Sequence, residues 1–177
     1  MTLEIAVDRP DAPEVVVLLE EHLADMFATS PAESVHALDV AGLLVPEVTF
    51  WTARDSTGPG GPDEPPLGCV ALKTLSPDPG TEHSAGHAEL KSMRTRAAAR
   101  GRGVGTALLA TVLAEAERRG LARVSLETGT EDFFAPARRL YRAHGFVECP
   151  PFGDYVLDPH SVFLTLDLRP DRRSEPA

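Results

Sequence analysis

The hydrophobic and polar positions along the chain alternate with two different periods, and each period predicts its own kind of element. Alternation at every second residue, bounded by Gly, Pro or Asp, predicts strands. These strands cover Leu3–Val7, Val48–Arg54, Leu67–Leu75, His87–Thr95, Ala122–Glu127, Phe146–Glu148 and Ser161–Leu168. Two connecting segments, Asp55–Pro66 and Ser76–Gly86, are dense in Gly and Pro and are predicted to be loops.

Apolar residues that recur every three to four positions predict helices between these strands. One helix covers Ala12–Phe27, and a cap within Thr29–Ser34 precedes a short helical turn that reaches Leu38. A third helix follows the glycines at 101–105 and ends before Gly120, and a fourth covers Phe134–His144. This order predicts an α+β fold in three layers. An antiparallel meander leads into a strand–turn–helix–strand unit, and helices cover both faces of the sheet.

The segment between the fourth strand and the third helix carries the most informative pattern. Arg100–Gly105 reads RGRGVG, so glycines alternate with larger residues just before the helix. Glycine adopts positive φ and lets a ligand approach the backbone, and the free amides of a first helical turn attract anions. Arg100 and Arg102 add cationic donors. The pattern predicts a site for a phosphate or diphosphate, and its plainer alternative is a tight strand-to-helix turn.

Two other glycine motifs bind phosphates. A P-loop ends in Gly-Lys-Ser/Thr, and that ending does not occur after these glycines. A dinucleotide-binding turn is favoured by Glu127, which ends the next strand where a ribose-binding acid would lie. However, Thr106 stands in place of the third glycine of that motif, and residues 95–99 separate the strand from the turn. A nucleotide-dependent oxidoreductase remains an alternative.

Length and composition limit the class of protein. The chain has 177 residues, of which 42% are hydrophobic and 25% charged, as in an ordinary globular domain. We expect one domain over residues 1–168 and a frayed tail over 169–177. The net charge of −10 argues against nucleic acid or an anionic membrane as a main partner. No signal peptide or long apolar span is visible, so we expect a cytoplasmic monomer or homodimer. Cys69 and Cys149 do not have the spacing of a metal site, and we expect no metal.

The element order and the glycine segment resemble the GNAT superfamily of N-acetyltransferases, whose pattern is Arg/Gln-x-x-Gly-x-Gly/Ala at a helix start. Arg100, Gly103 and Gly105 match this pattern, and Arg138–Phe146 resembles the family's later Leu-Tyr-x-x-x-Gly-Phe element. The two motifs cover roughly the last half of the domain. Phe134 replaces an asparagine that is common in the family. The blocks at 34–39, 91–95 and 158–163 resemble a YsnE-like bacterial subgroup.

The resemblance implies a mixed, mostly antiparallel sheet that is splayed at a central pair of parallel strands, with acetyl-CoA as co-substrate in the splay. It also implies that backbone groups after the fourth strand bind the pantetheine amides and that the glycine segment binds the pyrophosphate. The expected cofactor-binding residues are Met93, Arg94, Thr95, Arg100, Gly101, Arg102, Gly103, Val104, Gly105, Thr106 and Arg138.

Two side chains are candidates for acid–base chemistry. Glu89 matches a position where the family often carries a glutamate, and we expect it to be the general base. Strand alternation puts it on one face with Lys91 and Met93, and Arg94 on the other face. Its alternative role is a surface carboxylate or an ion-pair partner of Lys91. The resemblance implies that Tyr141 lies beside the cofactor sulfur as the acid, and its alternative role is a core tyrosine.

The acceptor pocket is expected to contain polar side chains from several segments. The candidates are His36, Glu127, Tyr155 and Asp158. A solvated helical hairpin explains the polar residues around His22 and His36 without a function. Because the chain is acidic, we expect a small amine that arrives as a cation. The resemblance implies acetyl transfer to that primary amine by direct attack in a ternary complex. A non-catalytic acyl-CoA-binding or regulatory module on the same fold is a further alternative.

Overall fold

The computed structural model describes residues 1–57, 65–76 and 86–168 of the chain. Its strands are β1 (Leu3–Val7), β2 (Val48–Asp55), β3 (Gly68–Thr74), β4 (His87–Thr95), β5 (Arg123–Gly129), β6 (Val147–Glu148) and β7 (Ser161–Asp167). Its helices are α1 (Pro13–Thr29), α2 (Val40–Leu43), α3 (Val104–Arg118) and α4 (Ala135–Ala143). The predicted order of strands and helices is confirmed.

The strands form one 7-stranded sheet in the order β1-β2-β3-β4-β5-β7-β6. Neighbouring strands pair antiparallel except β4 and β5, which run parallel. A parallel pair needs a crossover connection, and here α3 provides it. The predicted fold class, a mixed and mostly antiparallel α+β sheet with a central parallel pair, is confirmed.

Helices cover both faces of this sheet because successive strand residues point to opposite sides. On one face, Val70 and Leu72 of β3 belong to a core cluster that includes residues of α3 and α4. On the other face, Cys69 and Ala71 belong to a second cluster with residues of α1 and α2. Both faces of the sheet therefore carry a packed core.

Helix α3 follows the sequence pattern closely. Its buried residues recur at helical spacing and are Val104, Leu108, Leu109, Val112 and Ala116. In its last turn, Glu115 pairs with Arg118 at 2.6 Å and with Arg119 at 2.7 Å. Gly120 follows with a φ of 71°. These features end α3 before Gly120, as the sequence predicts.

Strand β4 contains a bulge at Ser92. Cys69 pairs with Arg94 and Ala71 pairs with Lys91, so β4 has one residue more than β3 in this interval. Ser92 has a φ of 49° and is the non-glycine residue with positive φ in the described ranges. A bulge of this kind reverses the alternation of side chains on the residues that follow it.

The bulge makes the predicted faces of β4 wrong. Arg94 bonds to Asp25 of α1 and therefore lies on the α1 side of the sheet, the side to which Glu89 and Lys91 belong by register. Met93 instead packs against the core cluster beneath α3. Sequence alternation had placed Met93 with Glu89 and Arg94 opposite, because it assumed an uninterrupted strand.

The segment after α1 also differs from its prediction. A 3₁₀ turn covers Ala32–Ser34, and α2 begins only after Asp39. The Asp39 carboxylate accepts a hydrogen bond of 2.7 Å from the Gly42 amide, which makes Asp39 the helix cap. The predicted short helical turn is therefore present at Ala32–Ser34, but its predicted extension to Leu38 is wrong.

The predicted tail at 169–177 lies outside the described residues, as do parts of both predicted loops. The domain limits of 1–168 stay a prediction. Within the described ranges, no helix combines the length and apolar character needed to cross a membrane.

Candidate active site

A cleft of about 640 Å³ runs along the open end of β4. The parallel ladder between β4 and β5 ends at Glu89 and Ser125, although β4 continues to Thr95 and β5 to Gly129. Most of the residues predicted to hold the co-substrate line this cleft. They are Met93, Arg94, Thr95, Arg100, Gly101, Gly103, Val104, Gly105 and Thr106.

The glycine turn forms one end of the cleft. Gly101 and Gly103 have φ values of 74° and 81°, and a Cβ built on either would meet no described heavy atom within 4 Å. Gly103 caps α3, whose first amides have no intrahelical acceptor. Open space, backbone donors and the positive end of a helix dipole together fit a pyrophosphate. Gly105 also lines the cleft, and a Cβ there would lie 3.4 Å from Leu140 and Thr95, which is ordinary van der Waals contact.

Two arginines flank the turn, and they differ in their surroundings. Arg100 lines the cleft with its guanidinium carbon 5.8 Å from the centre of the Phe133 ring. Arg102 does not line the cleft, and its guanidinium lies 3.8 Å from a carboxylate oxygen of Asp55. Arg100 is therefore the better placed of the two for an anionic ligand.

Two other predicted cofactor contacts have protein partners. Arg138 does not line the cleft, and it donates hydrogen bonds to the carbonyl oxygens of Gly129 at 2.6 Å and Glu131 at 2.9 Å. The Arg94 guanidinium bonds to Asp25 at 2.7 Å, so it is the residue's backbone that is left for the cleft. Arg138 fixes the end of β5 rather than contacting the cleft.

A small cavity of about 100 Å³ adjoins the cleft. Its walls come from β4, the end of β5, and the segment at 34–37 that follows α1. Both spaces share lining residues, namely His22, Met26, Met93, Phe134, Ala137 and Tyr141. A molecule in the cleft and another in the small cavity can meet there, so the small cavity is the candidate acceptor site.

Tyr141 stands at this junction. Only 5% of it is exposed, and its ring packs 5.8 Å from that of Phe146, so it is a core residue as well as a cavity residue. Burial, and then the charge of Glu127, raises the pKa of Tyr141 above its ordinary value. The phenol therefore stays protonated and is a hydrogen-bond donor throughout the neutral range.

His22 is a junction residue to which sequence analysis assigned no role. Burial and then the positive charge of Arg94 lower the pKa of His22 to about 4, while Asp25 opposes this shift. The imidazole is consequently neutral at physiological pH. Its position depends on how α1 packs against the bulged strand, which no local sequence signal reveals.

Glu89, Lys91 and Tyr155 form a buried triad. Glu89 is 4% exposed, and its Oε1 accepts a hydrogen bond of 2.6 Å from the Tyr155 hydroxyl. Lys91 Nζ lies 3.2 Å from the same oxygen and donates to the Tyr155 hydroxyl at 2.6 Å. Glu89 lines neither cavity. The geometry therefore favours the alternative interpretation of Glu89, an ion-pair partner of Lys91, and the role of base stays a prediction.

Of the predicted acceptor residues, Glu127 and His36 line the small cavity, whereas Tyr155 and Asp158 do not. Glu127 accepts a hydrogen bond of 2.7 Å from the Ser161 hydroxyl. Burial raises the pKa of Glu127, and the bond from Ser161 opposes that effect. Glu127 is thus the carboxylate that reaches the candidate acceptor site.

Neither cysteine is a reactive thiolate. The Cys69 thiol is fully buried and donates to the Ser92 carbonyl oxygen at 3.2 Å, and burial raises the pKa of Cys69 to about 12. Burial also raises the pKa of Cys149. Among the described residues, no group of three or more His, Cys, Asp or Glu side chains is arranged to hold a metal ion.

Comparison with known sequences places the chain in a family. It matches the acetyltransferase (GNAT) family over residues 16–146. It is 44% identical to the uncharacterized N-acetyltransferase YsnE of Bacillus subtilis (strain 168), over 94% of this chain and 100% of that protein. It is 43% identical to the uncharacterized N-acetyltransferase YedL of Escherichia coli (strain K12), over 93% and 94%. It is 36% identical to an IAA acetyltransferase of Azospirillum brasilense, over 93% and 97%.

Solved structures share the fold. A putative acyl-CoA N-acyltransferase from Klebsiella pneumoniae superposes with a TM-score of 0.70 at 25% identity, covering 95% of this chain and 99% of that one. NAA60 of Arabidopsis thaliana, solved in complex with acetyl-CoA, superposes with a TM-score of 0.68 over 94% and 99%, and its 18% identity is evidence for the fold alone.

The sequence match, the shared fold and the geometry of the glycine turn all indicate the same family. The family match includes the turn at the start of α3, where open space and free backbone donors suit a pyrophosphate. The chain therefore belongs to the acetyltransferase (GNAT) family, and it is an acyltransferase with acetyl-CoA as its co-substrate.

Proposed function

We propose that the protein is an N-acetyltransferase that acetylates the primary amine of a small molecule by direct attack, with both substrates bound together. The observation that carries this proposal is the shared wall of the cleft and the small cavity at Tyr141. Direct transfer needs such a meeting point, because the reacting atoms must approach to about 3–3.5 Å. The small cavity also limits the reacting end of the acceptor to a few heavy atoms.

The charge of the small cavity supports an amine. Glu127 is a half-buried carboxylate on its wall, and a carboxylate shielded from water is stabilised by a nearby cation. An ammonium group that enters the cavity supplies that cation. The acidic chain as a whole, with a net charge of −10, also attracts a cationic acceptor.

The acceptor must lose a proton before it attacks. An amine with a pKa near 10.4 is neutral in only about one molecule in 2,500 at pH 7, which costs roughly 4.6 kcal/mol. An α-amine with a pKa near 7.8 costs only about 1 kcal/mol. A general base therefore matters greatly for an ordinary primary amine.

We assign this base to Glu127 in preference to Glu89. Glu127 lines the small cavity, whereas Glu89 is enclosed by Tyr155 and Lys91. The raised pKa of Glu127 brings it closer to the working pH, which makes it a stronger base than an ordinary carboxylate. Glu89 is the alternative base, acting through a water.

The bonds and protons balance with the groups present. Acetyl-CoA supplies the acetyl group as a thioester, and a C–N bond forms as the C–S bond breaks. The ammonium nitrogen loses two protons in the overall reaction. One of them passes to Glu127. The loss of the other is matched by the proton that the sulfur takes up, so CoA leaves as a thiol. Tyr141 lines both spaces and stays protonated, so it is the proposed donor to the sulfur.

A covalent acetyl-enzyme through cysteine is not favoured. A cysteine nucleophile acts as a thiolate, and burial raises the pKa of both Cys69 and Cys149. Neither residue lines the cleft or the small cavity. These two observations support direct transfer.

The test is acceptor-dependent release of CoA from acetyl-CoA, with the mass of the product determined. The panel contains simple amines, polyamines, amino sugars, amino acids, peptides and, because of the Azospirillum relative, IAA. We expect acetylation of small primary amines. Tight acetyl-CoA binding without turnover of any acceptor would instead indicate a non-catalytic acyl-CoA-binding module. Protection from unfolding by NAD and not by CoA would indicate an oxidoreductase. Cytoplasmic location and a monomeric or homodimeric state stay predictions.

A further inference from the structure

The lysine on the wall of the small cavity already has polar and charged partners within the protein. Lys91 Nζ donates to the Tyr155 hydroxyl at 2.6 Å and to the His36 carbonyl oxygen at 2.9 Å. It also lies 3.2 Å from Glu89 Oε1. The first two contacts are hydrogen bonds, and the third is an ion pair. Glu89 also neutralises its charge.

Among the described residues that line this cavity, only Lys91 and two histidines have side chains that can carry a positive charge. Apart from these three, the polar side chains are hydroxyls and the Glu127 carboxylate. Arg94 lines the cleft and not the small cavity, and its guanidinium pairs with Asp25 and Glu21 on α1. The small cavity therefore holds one carboxylate whose charge a ligand can balance, and its lysine is already balanced.

Because of this imbalance we propose, building on the N-acetyltransferase function above, that the acceptor pocket selects primary amines with no carboxylate beside the amino group. An ammonium group on a neutral scaffold compensates Glu127. An α-amino acid would bring a second carboxylate into a confined space that already contains one, where Glu89 already balances the charge of Lys91. Burying an unpaired charge in this way is strongly unfavourable.

Tyr155 is the positioning residue for this selectivity. Its hydroxyl accepts from Lys91 and donates to Glu89, and thereby links the two charged groups. Its ring packs edge-on against His36 with the centroids 5.1 Å apart, and Lys91 Nζ lies 5.3 Å from its centre. Loss of the hydroxyl alone would release one donor of Lys91 and keep the aromatic packing.

The experiment compares each amino acid with its own decarboxylation product, for example serine with ethanolamine, alanine with ethylamine, and valine with isobutylamine. We expect kcat/KM to favour the decarboxylated amine in each pair by at least about tenfold. Equal values, or a preference for the amino acids, would overturn the proposal and leave the N-acetyltransferase function intact. Calorimetric binding to the CoA-bound protein repeats the comparison without turnover, so the selectivity is decided even if no acceptor is acetylated.

Two variants test the cause. Tyr155→Phe should lower the preference for the decarboxylated amine by about threefold or more, because Lys91 then has a free proton to donate to the carboxylate of an amino acid. Phe152→Leu, in the same loop with its ring 5.2 Å from Tyr155, is the matched control and should leave the ratio unchanged. Glu127→Gln keeps the shape of the side chain but removes its charge. In the calorimetric measurement, it should lower the ratio of the affinity for the amine to the affinity for the amino acid. Unchanged ratios in both folded variants would contradict the proposed cause.

Discussion

The cleft and the small cavity are built from different kinds of groups. The cleft owes its glycine end to backbone conformation, with positive φ at Gly101 and Gly103 and the free amides of α3. The small cavity is lined by side chains that come from α1, β4, β5 and the segment at 34–37. Its charged groups, Glu127 and Lys91, are each engaged by a residue far away in the sequence.

The glycine end of the cleft and the small cavity are therefore a backbone half and an acceptor half of the site, and the two halves depend on the sequence in different ways. Backbone donors read a diphosphate and tolerate many surrounding sequences. Side-chain contacts depend on the exact residues and on how separate elements pack. The two halves can therefore be disturbed separately, and each of the following changes is directed at one of them.

The largest effect is expected at the backbone half. Gly103→Val should abolish acetyl-CoA binding, because its Cβ branch would occupy the open space and oppose a φ of 81°. Gly153→Val is the control, since Gly153 also has positive φ and open space around it but lies away from the cleft. Calorimetry on both folded variants checks this. If Gly103→Val bound acetyl-CoA with normal affinity, the glycine turn would not be the diphosphate site.

The next effect concerns the acceptor half. Glu127→Gln should lower kcat/KM for an amine at pH 7 by about 10²–10⁴-fold, because the base is lost. Activity should recover toward pH 9–10, where the amine supplies its own neutral fraction. In the parent protein, kcat/KM should fall on the acidic side as Glu127 becomes protonated, at a pH above the ordinary carboxyl value of 4.5. His22, with its pKa near 4, stays neutral there. If Glu127→Gln still showed the same acidic fall in kcat/KM, Glu127 would be excluded as the general base.

Tyr141 belongs to both halves. Tyr141→Phe keeps the ring packing and removes the donor, so kcat should fall by about 10- to 1,000-fold with little change in acetyl-CoA affinity. Stopped-flow measurement of the chemical step together with equilibrium binding tests both statements. An unchanged rate of chemistry would make the tyrosine purely structural.

A smaller effect is expected at the buried triad. Glu89→Gln keeps an acceptor for Tyr155 but removes the charge that balances Lys91, so we expect kcat/KM to fall by about tenfold or less. Thermal unfolding should show the accompanying loss of stability. If this variant instead lost as much activity as Glu127→Gln and recovered at alkaline pH, Glu89 would be the base.

The smallest effect on acetyl-CoA binding is expected at Arg138. Arg138→Ala leaves the carbonyl oxygens of Gly129 and Glu131 without their donor, which should cost about 1–3 kcal/mol in the free energy of unfolding. Affinity for acetyl-CoA should stay within about twofold, because no cleft contact is removed. Denaturant titration and calorimetry separate the two effects, and a large loss of affinity would restore Arg138 as a cofactor contact.

Local patterns in the sequence were sufficient for most of the fold and for the glycine end of the cleft. Helix α3 and the positions of Gly101 and Gly103 depend on neighbours within a few residues, and so do most strand positions. Asp39 was also a readable signal, since an Asp ahead of a helical turn is a common cap, but the Thr29–Ser34 segment competed with it.

The acceptor half depends on long-range packing and could be predicted only in part. The bulge at Ser92 has no signature that distinguishes it from a regular strand, yet it decides which face Met93 and Arg94 occupy. Lys91 and Tyr155 are 64 positions apart, and the bond between them determines that Glu89 is enclosed. The family position of Glu89 and the residue type of Tyr155 therefore made both residues candidates without revealing that they bind each other.

Direct transfer at the junction of the cleft and the small cavity is tested most directly by two-substrate kinetics. The initial rate is measured while acetyl-CoA and the best small amine are both varied, and the protein is analysed by mass spectrometry after incubation with acetyl-CoA alone. We predict reciprocal plots that intersect and a protein that carries no acetyl group. Parallel plots together with an acetylated side chain would contradict direct transfer and require a covalent route.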